Sequence, residues 1–211
     1  MAGGVEVEVK LKVGDLLDGQ DRFAAIKTRL EEMGASLLHP REFEDNLAFD
    51  FPDRSIVRAG SLLRVRILAR GSVLTFKGPV VPIPGLSGSG PTAESPPMKV
   101  RRETELAIPF EETDALLAII RGLGMEQVYR YQKFRTTWAW KGLHILLDET
   151  PIGIYVELEG DRALIEAGAK ALGYFPDDFI TKSYRDLHLE HLDQGGEGLD
   201  GSRSADRMLF A

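Results

Sequence analysis

Val5-Glu6-Val7-Glu8-Val9-Lys10-Leu11-Lys12-Val13 alternates without a break. Successive side chains of a strand point to opposite faces. Val5, Val7, Val9, Leu11 and Val13 therefore share one face, and Glu6, Glu8, Lys10 and Lys12 share the other. Taken alone, the stretch reads as a half-buried antiparallel strand with a wet face. Its weight comes from recurrence, because later strands also carry charges of both signs at every second position.

Sorting the rest of the chain by the same period gathers a large charged set. Leu62 to Leu68 puts Arg64 and Arg66 on one face, and residues 72–78 put Lys77 on the parity of Val73 and Thr75. The spacer Ala69-Arg70-Gly71 makes these two strands a hairpin. Residues 99–108 align Arg101, Glu103 and Glu105; residues 126–140 align Tyr129, Tyr131, Lys133 and Arg135. Leu143 to Asp148 aligns His144, Leu146 and Asp148, and beyond the turn at Pro151 to Gly153, Tyr155, Glu157 and Glu159 share a face. A further extended stretch, 36–51, has Phe43, Leu47, Phe49 and Phe51 on one parity.

Helical spacing appears in four places. Residues 20–34 carry the stripe Phe23, Ile26, Leu30 and Met33, with Gly34 as C-terminal cap. A helix opening at Phe110 or Glu111 carries Leu116, Ile119, Ile120 and Leu123, with Glu111, Glu112 and Asp114 at its N-terminal dipole end. Residues 162–172 form a helix capped by Asp161, and 183–191 form a short one. The spacing predicts one domain over 1–192, with a flexible Pro-, Gly- and Ser-rich loop at 79–98 inside it and a disordered tail at 193–211.

Composition narrows the function. The 211 residues include 28% charged residues and 43% hydrophobic ones, an ordinary soluble balance. With no cysteine there is no disulfide framework, thiolate metal site or cysteine nucleophile. The formal net charge of -7 argues against a duplex nucleic-acid binder but leaves room for a local basic pocket. No apolar run approaches the roughly 20 residues of a membrane span, and the N-terminus does not read as a signal peptide, so a cytoplasmic protein with no membrane or nucleic-acid partner is expected. It is expected as a monomer or homodimer. Ser183 lacks a Gly-x-Ser-x-Gly elbow, and His39, His144, His188 and His191 form no metal-ligand cluster and read as surface residues.

Paired acids recurring strand after strand are not what a solvent face displays. If the sheet closes on itself, these charges point into one lumen. So many buried charges demand a wet, internally paired, ligand-filled interior. The expected fold is therefore α+β: a closed or nearly closed antiparallel barrel of about eight strands, with helices packed outside. Carboxylate oxygens suit hard divalent cations, and Arg and Lys neutralise phosphate oxygens. Together they suit a metal–polyphosphate complex.

The same residues carry a resemblance. Glu6-Val7-Glu8-Val9-Lys10 is similar to the Glu-x-Glu-x-Lys signature of the CYTH superfamily, the triphosphate tunnel metalloenzymes. Leu63-Arg64-Val65-Arg66, Thr75-Phe76-Lys77-Gly78-Pro79, Arg102-Glu103-Thr104-Glu105, Lys133-Phe134-Arg135, Asp148 and Glu157-Leu158-Glu159 follow in the family's order. The likeness covers Glu6 to about Leu187. It implies Mg²⁺ or Mn²⁺ held by Glu6, Glu8, Glu157 and Glu159, supported by Asp148, with Glu103 and Glu105 added to the metal set. It implies a small-molecule triphosphate held by Lys10, Arg64, Arg66, Lys77, Lys133, Arg135 and Lys182. Of these, Lys10, Lys77, Lys133 and Arg135 are the expected catalytic cations.

Ser183-Tyr184-Arg185-Asp186-Leu187 resembles the Ser-Tyr-x-x-Leu ending of class IV adenylate cyclase-like members, so the resemblance leans to conversion of ATP to cyclic AMP and pyrophosphate. The alternatives are hydrolysis of thiamine triphosphate, inorganic triphosphate or a nucleoside triphosphate, and a polyphosphate-binding module without turnover. The sequence does not fix which phosphorus faces the nucleophile.

Overall fold

The computed structural model describes residues 4–16, 19–81, 97–199 and 201–210. Eight strands form the wall: β1 (Gly4–Gly14), β2 (Ser36–Asp50), β3 (Leu62–Leu68), β4 (Gly71–Val80), β5 (Lys99–Pro109), β6 (Glu126–Trp140), β7 (Leu143–Thr150) and β8 (Gly153–Glu159). They run β2-β3-β4-β5-β1-β8-β7-β6, and β2 pairs again with β6, so the sheet closes. Every pairing in this ring is antiparallel. Closure removes the free edges that an open sheet would present. Much of the expected 79–98 loop lies outside the described residues.

Among the described residues five helices stand around the wall: α1 (Gln20–Glu32), α2 (Ser55–Arg58), α3 (Thr113–Gly122), α4 (Arg162–Ala171) and α5 (Tyr184–Asp193). The apolar faces of the strands meet them. Val9, Leu11 and Val13 of β1 pack with Phe23, Ile26 and Leu30 of α1 and Ile165 and Ala169 of α4. On the far side Leu47, Phe49 and Val65 pack with Leu117 and Ile120 of α3. Fully burying side chains of this size contributes about 1.5–3 kcal/mol each. Gly34, at φ 73°, turns the chain out of α1 in the left-handed conformation that glycine adopts without strain. Asp161 caps α4 by accepting from the Ala163 amide at 2.9 Å.

Two expectations change, and one helix was not foreseen. Helix α3 begins only at Thr113, after a 3-10 turn at Phe110–Glu112. Leu117 and Ile120 face the core with Leu116 packed against them, while Ile119 and Leu123 of the expected stripe stay exposed. The four-residue helix α2 is too short to leave a periodic signal. The tail also has structure at its end: β9 (Arg207–Met208) pairs in parallel with Arg130 and Tyr131 of β6, and Met208 is buried.

The same region shows how one mouth of the barrel closes. β7 pairs only with residues Phe134–Trp140 of β6, leaving the earlier half of that edge to β9. β5 pairs with β1 only as far as Glu8, and Lys10 then exchanges two backbone hydrogen bonds of 2.9 Å with Ile180. Helix α5 follows directly and lies over the opening. Its Tyr184 packs with Tyr129, Tyr131, Tyr155 and Met208 as an apolar plug.

Candidate active site: a charged tunnel

The other interior layer is polar. A cavity of about 180 Å³ is lined by Glu6, Glu8 and Lys10 from β1, Arg64 and Arg66 from β3, and Lys77 from β4. The lining continues with Lys99, Arg101, Glu103 and Glu105 from β5, Lys133 and Arg135 from β6, and Glu157 and Glu159 from β8. Glu6 and Arg64, on strands three pairings apart, therefore face one lumen, as the alternation requires. Eight cationic and six acidic side chains line it, an excess of cations at the wall of the lumen in a chain of net charge -7, with the carboxylates of Asp148 and Glu44 behind that wall. Such a lumen attracts anions despite the overall charge.

The acids divide into two environments. Oxygens of Glu6, Glu8 and Glu159 lie within 4.8 Å of one another, a spacing that a shared divalent cation bridges. Burial, reinforced by Glu157, Glu6 and Glu8, pushes the Glu159 carboxyl up to about 7. Like charges crowded in a poorly solvated space disfavour ionisation, and a bound cation removes that cost. The donor set, all carboxylate oxygen, fits Mg²⁺ or Mn²⁺. Lys77 Nζ binds both oxygens of Glu6, at 2.9 and 2.6 Å, and Lys99 Nζ lies 3.0 Å from Glu8. Although burial opposes it, Lys10, Lys77 and Lys99 hold Glu8 down to about 2.

Glu157 belongs to the second environment. It pairs with Lys10 at 2.9 Å and with Arg135, and burial notwithstanding, these cations hold its carboxyl well below the usual carboxylate range. Glu103 sits 3.1 Å from Lys77, and burial, with Glu6 nearby, pushes it up to about 7. Glu105 accepts from Thr75 at 2.9 Å, beside Arg64 at 3.7 Å. Of the acids expected to hold metal, Glu6, Glu8 and Glu159 lie together, Glu6 and Glu8 with lysines also in contact, while Glu157 is held by Lys10 and Arg135.

Asp148 is inaccessible and does not line the cavity. It holds the cations that do: Oδ2 accepts from Lys133 at 2.9 Å, and Arg135 makes a two-toothed contact at 2.7 and 2.6 Å. Tyr184 adds a fourth hydrogen bond at 2.7 Å. Such planar Arg–carboxylate contacts fix orientation as well as charge. Arg64 is aimed by Tyr131 at 3.1 Å and Thr75 at 3.2 Å. Lys182 is the expected substrate residue that the fold leaves outside: it is half exposed and binds Glu190 at 2.6 Å.

Several inward-facing polar residues escaped the sequence reading. Glu44 and Asn46 of β2 are buried on the face opposite Leu47 and Phe49, and Lys99 continues the charged parity of β5. Applied to β2 and to the first residue of β5, the parity rule finds all three. His188, expected at the surface, is buried on the inner face of α5 with Nδ1 3.0 Å from the Tyr129 hydroxyl. Among the described residues no helix is long and apolar enough to cross a membrane.

A closed antiparallel barrel whose lumen carries clustered acids among cations has the chemistry to hold a metal–polyphosphate complex. The profile of the CYTH domain matches residues 4–184, and the chain belongs to that family. A search of curated protein sequences found no match. Among solved structures, a Vibrio parahaemolyticus protein provisionally described as an adenylate cyclase is 19% identical, with a TM-score of 0.67 over 88% of this chain and 98% of that one. The Pyrococcus horikoshii protein PH1819 is 23% identical, with a TM-score of 0.62 over 88% and 98%. A Hippeastrum protein provisionally described as an adenylyl cyclase, and reported to have a dominant triphosphatase activity, is 18% identical, with a TM-score of 0.55 over 90% and 96%. At these identities the likeness establishes the shared fold.

Proposed function

We propose that this chain is a divalent-metal-dependent hydrolase that cleaves the terminal phosphoanhydride bond of a linear triphosphate. The observation that carries the reading is the lumen itself: a cavity of about 180 Å³ lined by eight cations and carrying an acidic trio in its wall. Pockets for drug-sized organic ligands run about 300–1,000 Å³ and are mainly apolar. This one suits a small polyanion, with any organic portion of the substrate lying outside it. Phosphoryl transfer needs chiefly positioning and charge stabilisation.

Lys10, Arg64, Arg66, Lys77, Lys133 and Arg135 hold the phosphate oxygens in this reading, and Glu6, Glu8 and Glu159 hold Mg²⁺ or Mn²⁺. The bound metal supplies further neutralisation of the phosphate oxygens. Asp148 and Tyr131 keep Arg135, Lys133 and Arg64 aimed, so little reorganisation is needed as charge shifts in the transition state. Water forms a bond to the terminal phosphorus, the bridging P–O bond breaks, and orthophosphate and diphosphate leave. Glu103, which lines the cavity outside the acidic trio, takes the proton from that water in this reading.

Cyclisation is the second reading. It is favoured by the Ser183-Tyr184-Arg185-Asp186-Leu187 stretch, whose Ser183 and Tyr184 reach the cavity. There a ribose hydroxyl attacks the α-phosphorus and pyrophosphate leaves. A product assay with Mg²⁺ or Mn²⁺ against ATP, thiamine triphosphate and inorganic triphosphate separates the two. Metal-dependent orthophosphate release from inorganic triphosphate is expected. Cyclic AMP with pyrophosphate from ATP establishes the second reading instead. Binding without turnover of any of them overturns both and leaves a polyphosphate-binding module.

A further inference from the structure

Two buried carboxylates face the same cations, in different ways. Asp148 grips Lys133 and Arg135 through four-way hydrogen bonding shared with Tyr184. Glu44, on β2, stands 3.5 Å from Lys133 Nζ, 3.5 Å from Arg66 Nε and 3.9 Å from Arg135 Nε. Its Oε2 is buried without a hydrogen-bond partner, and so is Arg66 Nε beside it. Glu44 does not line the cavity, whereas Arg66, Lys133 and Arg135 all do. Asp148 thus supplies geometry, while Glu44 contributes charge without fixing direction.

We infer that Glu44 is a built-in counter-anion of the phosphate-binding cations, which lowers the tunnel's affinity for polyphosphate and speeds its release. Before the substrate binds, three clustered cations would repel one another, and the carboxylate behind them neutralises part of that charge. Once a triphosphate occupies the lumen, the same carboxylate repels it. Lys133, Arg66 and Arg135, opposing the penalty of burial, hold Glu44 well below the usual carboxylate range, so the charge is present throughout the working pH range. A residue that oriented the cations would hydrogen-bond them, and Glu44 leaves Oε2 unused.

The inference rests on the tunnel holding a triphosphate, and the experiment separates the two claims. Inorganic triphosphate is titrated by calorimetry in EDTA, so that no metal or turnover intervenes, into wild type and Glu44→Gln. The variant keeps the shape and loses the charge. Binding tightens on the order of tenfold, roughly what one unit charge about 10 Å away contributes at an effective dielectric near 20. The thermal midpoint of the anion-free variant falls, and added triphosphate raises it by more than it raises that of wild type. If Glu44→Gln fails to fold alone, triphosphate restores the fold; failure of that rescue overturns the inference. Equal or weaker binding by the variant assigns Glu44 an orienting role and overturns it too. No binding by wild type overturns the tunnel reading itself.

Discussion

The Tyr184 hydroxyl donates to Asp148 Oδ2 across 2.7 Å, joining the first turn of α5 to the interior face of β7. The same oxygen carries Lys133 and Arg135, so one carboxylate ties the plug of the barrel to its phosphate-facing cations. Asp148→Asn removes the charge and leaves two buried cations short of a partner. Breaking such a buried pair costs about 3–5 kcal/mol. Urea unfolding of the variant is expected to show a loss of that order, with triphosphate affinity falling alongside it. A loss below about 1 kcal/mol would mean the cations find other partners.

Metal and phosphate roles fail differently. Glu159→Gln removes one of the three clustered carboxylates, so its activity falls and partly returns as Mn²⁺ is raised, because weak binding yields to mass action. Glu157 is held by Lys10 and Arg135, so Glu157→Gln behaves with Arg64→Ala and Arg135→Ala, which excess metal does not rescue. Phosphate release followed across a metal titration checks this. Recovery of the Arg variants by metal would reverse the assignments.

Lys182 gives a contrast. It lies outside the lumen in a half-exposed pair with Glu190, and such pairs contribute about 0–1 kcal/mol. Lys182→Ala is expected to keep its KM and kcat within about twofold of wild type. A tenfold rise in KM would place its ammonium on the substrate.

Parity carried most of this architecture. Charges recurring at every second position of β1, β3, β5, β6 and β8 pointed to a closed wall, because a solvent face does not ordinarily repeat paired acids strand after strand. Residues whose roles depend on what lies across the barrel were not legible. The sequence shows that Asp148 points inward; only the fold shows it beneath Lys133 and Arg135 rather than beside Glu159. Glu44 was passed over because the apolar parity of β2 is louder than the polar one. His188 and Met208 looked peripheral because their burial depends on α5 and β9 folding back over the barrel mouth.

His188 supplies a pH dependence. Burial lowers its pKa, so the folded state keeps the ring neutral while the unfolded chain protonates it near 6.5. Between the folded and unfolded values the unfolded state binds more protons, so stability falls as pH drops below about 6.5. The slope is at most about 1.4 kcal/mol per pH unit for one proton. His188→Gln keeps an acceptor for Tyr129 without a titrating ring, and its deficit relative to wild type should shrink from pH 7.5 to pH 5.5. A constant deficit would show that His188 titrates alike in both states.

The most direct test of the tunnel as the working site is a crystal structure with Mn²⁺ and a non-hydrolysable triphosphate, using anomalous scattering to locate the metal. The account predicts a manganese peak about 2.1 Å from oxygens of Glu6, Glu8 and Glu159, with the phosphates lying against Arg64, Lys133 and Arg135. Manganese and phosphate bound outside the barrel, with an unoccupied lumen at saturating ligand, would contradict it.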